Sequence, residues 1–192
     1  MQYFNNQTIT SSYLRPSQIL SGTKPPTFSQ NDIEKLIQQL ESEGRFKDDD
    51  LTSTVFNFML PSGSILSTDV SASFVDQHLT INQAIKFNPA EENFRVDSLH
   101  GLGGYHGSVH TSDQKNTIYY AIGVYSEKLP NGEVNGIDAF DAPWKNVVAT
   151  FYHELNEART DADVEDAIRA GSDPQAEKFL GWVSRQGEEC GD

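Results

Sequence analysis

The feature that most constrains the fold is the stretch over residues 141–160, which reads as one long helix with two unlike faces. It opens at Asp141-Ala142-Pro143-Trp144, an aspartate in capping position with proline in the first turn. Trp144, Val148, Phe151, Leu155 and Ala158 follow one another at spacings of four, three, four and three, so this apolar stripe is expected to pack on a core. Nearly opposite lie His153 and Glu157, four residues apart. At ~100° per residue their side chains point within about 40° of each other, so one cation could touch both. A solvated polar face would carry the same pattern.

The rest of the chain supplies sheet and helix for such a segment to pack on. Val55-Phe56-Asn57-Phe58-Met59-Leu60, closed by Pro61-Ser62-Gly63, has the β-branched and aromatic content of a buried strand followed by a turn. A second strong strand is expected over residues 117–125, with weaker ones over 64–68 and around Val109, and a turn at Pro130-Asn131-Gly132. Ser29 precedes Ile33, Leu36, Ile37 and Leu40 at helical spacing, with Asp32 in the first turn and Gly44 just past the end. The acidic run Asp48-Asp49-Asp50 reads as a solvated turn between this helix and the first strand. Short helices are expected over 162–170 and 174–180. Strands followed by helices give an α+β domain over residues 29–192, preceded by a polar, proline-punctuated arm over 1–28.

Charge and apolar content narrow the partners. In a chain of 192 residues the formal net charge is −14, which repels nucleic-acid backbones and anionic lipid surfaces, so neither nucleic acid nor membrane is expected as a partner. No apolar run approaches the roughly 18 residues of a membrane span. The single cysteine, Cys190, excludes an intrachain disulfide framework and a cysteine-based zinc cluster. The first ten residues lack a basic start followed by an apolar stretch. As written the chain reads as cytoplasmic, or as secreted if an upstream signal has been removed.

The chemistry is concentrated in His153-Glu154-Leu155-Asn156-Glu157. In the H-E-x-x-H pattern two histidines hold zinc and the glutamate between them acts as general base; here Glu157 stands in place of the second histidine. Two side chains leave a divalent ion loosely held, so a third ligand is required. Asp161 would lie one further turn along the same face if the helix continued. Asp163 lies ten residues after His153, where snapalysin-like metzincins, which this segment resembles, place an aspartate ligand. Thr160 occupies their glycine position, and no later methionine turn follows, the only methionines being Met1 and Met59.

The longer run from His153 to Asp161, with Gly181-Trp182 and the closing Gly187-Glu188-Glu189-Cys190-Gly191-Asp192, resembles a group of zincin-like proteins with an H-E-x-x-E-A-x-T-D core. Leu60-Pro61-Ser62-Gly63 and Gly104-Tyr105-His106-Gly107-Ser108 are similar to upstream segments of that group, which is itself distantly similar to Exordium-like, phosphate-induced secreted proteins. Ala162 replaces the group's proline, and the link to Gly181-Trp182 is longer here. The resemblance implies a zincin-like domain, a small mixed sheet packed on a long active-site helix. It further implies His153 and Glu157 as ligands of Zn2+, with Ca2+ or another divalent ion as the alternative, and Glu154 as the base that deprotonates a metal-bound water. His106 is a candidate further ligand or oxyanion donor, against the reading of a histidine bonded inside a glycine-rich loop; Tyr105 and Tyr152 are weaker donors.

The expected function is a metal-dependent hydrolase, a zinc metallopeptidase acting on a peptide or protein; the alternative is a non-catalytic, degenerate zincin serving as a binding or interaction module. Two other readings are rejected. Gly101-Leu102-Gly103-Gly104 lacks the Lys-Ser or Lys-Thr of a phosphate loop, and Asp161-Ala162-Asp163-Val164-Glu165-Asp166 has Asp166 where a calcium loop needs glycine.

Overall fold

A computed structural model describes residues 14–68, 97–163 and 181. Expectations for the helices beyond Asp163, for Trp182 and the closing segment, and for Cys190 lie outside the described residues. The elements run β1 (Thr27–Ser29), α1 (Gln30–Ser42), β2 (Val55–Met59), β3 (Ile65–Ser67), a 3-10 turn (Ser98–His100), β4 (Gly104–His110), β5 (Thr117–Gly123), β6 (Glu127–Lys128), β7 (Val134–Asn135) and α2 (Pro143–Thr160). The architecture is α+β. No helix among the described residues is long and apolar enough to cross a membrane.

Local chemistry explains most boundaries. Ser29 caps α1 in a reciprocal capping box with Asp32, and the helix ends at Glu43, followed by Gly44 at φ +70°. Gly63 and Gly132 take positive φ at the two expected turns, where a side chain would be strained. In the acidic turn Asp50 accepts from Thr52 and Ser53, which holds its carboxyl below the usual range, while Asp49 pairs with Arg15 of the arm at 3.0 Å.

The central sheet has order β2-β5-β4, with β2 parallel and β4 antiparallel to β5. Its two faces differ because side chains alternate along a strand. Phe56, Phe58, Tyr105, Val109, Ile118, Tyr120 and Ile122 join Ile33, Ile37 and Leu40 of α1 in the apolar core. The opposite face carries Gly104, His106 and Ser108 of β4, in register with Gly123, Ala121 and Tyr119 of β5. Against this second face lies α2, touching β4, β5 and β2. The small residues set how close it comes. A methyl on Gly104 would fall 2.7 Å from Thr150 Cγ2, and one on Gly123 3.0 Å from the Phe151 ring.

The face that α2 buries differs from the expected stripe. Trp144 and Val148 are about 60% exposed, whereas Asn146, Val147, Thr150, Glu154, Glu157 and Ala158 are buried. The sheet surface beneath offers a histidine and hydrogen-bonding groups, so the polar side of the helix turns inward and the Trp144–Val148 edge turns out. Asp141 is not the cap either: Ala142 takes that position without a side-chain bond, Pro143 follows at the first turn, and Asp141 pairs with Lys145.

Candidate metal centre

The candidate site lies between β4 and the C-terminal half of α2. His106 belongs to strand β4 rather than to a loop, and is 6% exposed. Its Nε2 is 2.9 Å from the backbone carbonyl oxygen of Asp161. A carbonyl only accepts, so Nε2 carries the proton; in the neutral ring Nδ1 is then an unprotonated acceptor. That atom faces two carboxylates, Glu157 at 3.5 Å and Glu154 at 3.7 Å, both 4% exposed. One ligand atom from each of His106, Glu154 and Glu157 lies within 4.8 Å of the others, a buried group able to hold a metal ion.

The helix supplies the remaining parts. His153 Nε2 is 3.0 Å from Glu157 Oε1, across one helical turn, so Glu157 reaches both histidines. The helix stops at Asp161, whose φ of −146° and ψ of 58° turn its carbonyl toward His106. The fully buried Asp161 carboxylate accepts from Gly181 N at 2.8 Å through Oδ1, and Oδ2 has no hydrogen-bond partner among the described residues. Asp163 is half-buried in the turn that follows. Neither aspartate belongs to the group within 4.8 Å.

Electrostatics separate the carboxyls. Burial pushes the Glu154 carboxyl above the ordinary range and Glu157 adds to the rise, while His106 and His153 oppose it. Asp161 is raised as well, first by burial and then by Glu157, against the bond from Gly181 and the attraction of His106. A cation among these groups would relieve the repulsion between the carboxylates. Without one, His106, Glu154 and Glu157 must hold a proton between them.

Glu154 and His153 also line an open cleft of about 540 Å³, walled by Gly101–Gly104, by Ile137, Ala139 and Phe140, and by α2. Of the weaker donor candidates, Tyr105 lies on the opposite face of β4, edge-on to Tyr120 at 6.4 Å, and Tyr152 is 67% exposed. His100 pairs with Asp97 at 2.7 Å, and His110 Nδ1 is 3.3 Å from the Thr117 hydroxyl.

The sequence pattern named His106, His153, Glu154 and Glu157, which the structure brings together, but misjudged two surroundings. His106 was read within a glycine-rich loop, although His106, Ser108 and His110 alternate with Tyr105, Gly107 and Val109 as a two-faced strand requires. The His153–Glu157 face matched a solvated one, yet Glu157 is buried and only His153 stays half-exposed. No protein family, curated protein or solved structure matches the chain.

Proposed function

We propose that the chain is a metal-dependent hydrolase of zincin-like design, a zinc peptidase in its most specific form. One observation carries the reading: the buried Nδ1 of His106, with its ring fixed by the Asp161 carbonyl, faces two buried carboxylates. A metal-binding histidine whose other nitrogen donates to a backbone carbonyl has the usual supporting contact of such ligands. In this reading His106 and Glu157 hold the ion, with His153 beside Glu157 as the ligand nearer solvent. The donor set of imidazole and carboxylate suits zinc, and calcium is the alternative for a carboxylate-dominated site.

The ion, when bound, would supply Lewis acidity and bring the pKa of a bound water toward ~7. Glu154 does the proton work. It lines the cleft, and its carboxylate faces His106 in the interior. Burial raises its proton affinity toward the range in which a base can take a proton from attacking water and return it to the departing amine. His106 and Glu157 orient the centre, and the glycines of the sheet set the spacing between β4 and α2.

The test is hydrolysis of a denatured protein substrate by zinc-loaded protein, with metal content measured on the same sample. Turnover that disappears with chelator, returns with zinc and is absent in Glu154→Gln supports the proposal. Stoichiometric metal without turnover would leave the binding-module reading in its place.

A further inference from the structure

From the cleft beside Glu154 we infer the class of substrate: this site takes an uncharged aliphatic or aromatic side chain of its ligand, seated between Phe140, Leu102 and Ala149. The inference rests on the hydrolase reading for its biological meaning, but the recognition it describes can be measured without turnover.

The cleft volume of about 540 Å³ is that of a small-ligand site. Its composition divides along the helix. His153 and Glu154 occupy one part, while Asn146 and Ala149 lie one to two turns toward the N-terminus of α2, ~6–12 Å away at 1.5 Å per residue. That separation is within reach of a side chain whose backbone amide lies at Glu154. Facing the helix are Leu102, Ile137, Ala139 and Phe140. Ile137 and Phe140 are 44% and 51% exposed, apolar surface left uncovered at the cleft.

The wall is held in place. Asn146, 3% exposed, accepts from the backbone N–H groups of Ala139 and Phe140 at 3.1 and 2.8 Å, tying that loop to the first turn of α2. On the other side the missing side chain of Gly103 leaves room for the wall. A methyl there would come 2.8 Å from Ile137 Cδ1 and 2.9 Å from Thr150 Oγ1. Among the described residues that line the cleft the only carboxylate is Glu154, and none is a lysine or arginine. The imidazoles there, His100 and His153, are each held by a carboxylate of this chain, Asp97 and Glu157, so with the chain at −14 an acidic ligand side chain meets net repulsion.

The experiment titrates isotope-labelled full-length protein, with and without zinc, with N-acetyl-phenylalaninamide, N-acetyl-leucinamide and the N-acetyl amide of aspartate, and follows amide chemical shifts. The two apolar probes are expected to saturate shifts at Leu102, Phe140 and Ala149, with affinities about tenfold or more above that of the acidic probe. Ala149→Phe fills the cleft from a half-exposed helix position and is expected to abolish the shifts; Phe140→Ala is expected to weaken binding without unfolding. Equal affinity for the acidic probe, shifts elsewhere, or unchanged binding in Ala149→Phe would overturn the inference. Failure of hydrolysis with apolar binding intact would condemn the hydrolase reading alone.

Discussion

Glu154→Gln is expected to make the metal-free protein more stable and to remove the hydrolytic activity proposed for the zinc-loaded form. Glu154 and Glu157 approach within 4.8 Å, buried on both sides. Two unit charges at that distance repel by about 3.5 kcal/mol at an effective dielectric of 20. The imidazole of His106 and a held proton offset part of this, so a net gain of about 1–2 kcal/mol is expected from removing one charge. For a chain of this size that corresponds to a rise in Tm of about 2–8 °C.

The pH dependence gives the sign independently. The folded-state pKa of Glu154 is raised, so the stability contributed by its protonated form is complete below the unfolded value and is lost as pH rises through the folded one. Metal-free wild type and Glu154→Gln should therefore melt together in acid, and the variant should gain an advantage as pH rises toward neutrality. Thermal melts by circular dichroism between pH 4 and pH 8 in chelator provide the assay. A variant that melts lower than wild type at neutral pH, or a difference that shrinks as pH rises, would refute the electrostatic reasoning. In the zinc-loaded protein the same variant should lose activity by ~10²–10⁴-fold.

Three further outcomes follow from the packing. Gly104→Ala would bring a methyl within 2.4 Å of the Ile122 carbonyl oxygen and 2.7 Å of Thr150, so denaturant melts should show a loss of about 1–3 kcal/mol together with weaker zinc binding. Asn146→Ala removes the acceptor for two backbone donors, and should cost about 1–3 kcal/mol and raise hydrogen exchange at Ala139 and Phe140 before elsewhere. Ser29→Ala breaks the capping box of α1 far from the site; it should lower stability by about 1 kcal/mol and leave zinc affinity unchanged in calorimetric titration.

The parts of the fold written in local patterns were legible in the sequence. The cap and glycine of α1, the apolar run of β2, the aromatic strand β5 and the two proline-glycine turns each depend on neighbours within a few residues. The facing of α2 was not. Apolar periodicity pointed Trp144 and Val148 inward, because a helical wheel contains no term for the surface it meets. On the sheet, Gly104, Ala121 and Gly123 leave a shallow floor with His106 upon it, and that floor favours the polar stripe through Thr150, Glu154 and Glu157.

The same limit applied to the site. Spacing within one helix brought His153, Glu154 and Glu157 together, whereas the approach of His106 required β4 to pair in register with β5 and α2 to land across both. Its alternation with Tyr105 and Val109 was the available signal, masked by the glycines around it. The carbonyl of Asp161 that fixes the imidazole depends on where the helix ends, which no side-chain pattern encodes.

His106 and Glu157 are proposed to form a cation site. This is tested most directly by metal content, measured by mass spectrometry after incubation with equimolar zinc and calcium and dialysis, on wild type, His106→Ala and Glu157→Gln, with folding verified by circular dichroism. Wild type should retain close to one equivalent of a divalent ion, and both folded variants should lose it. A wild-type protein that retains no metal, or folded variants that retain it undiminished, would contradict the claim.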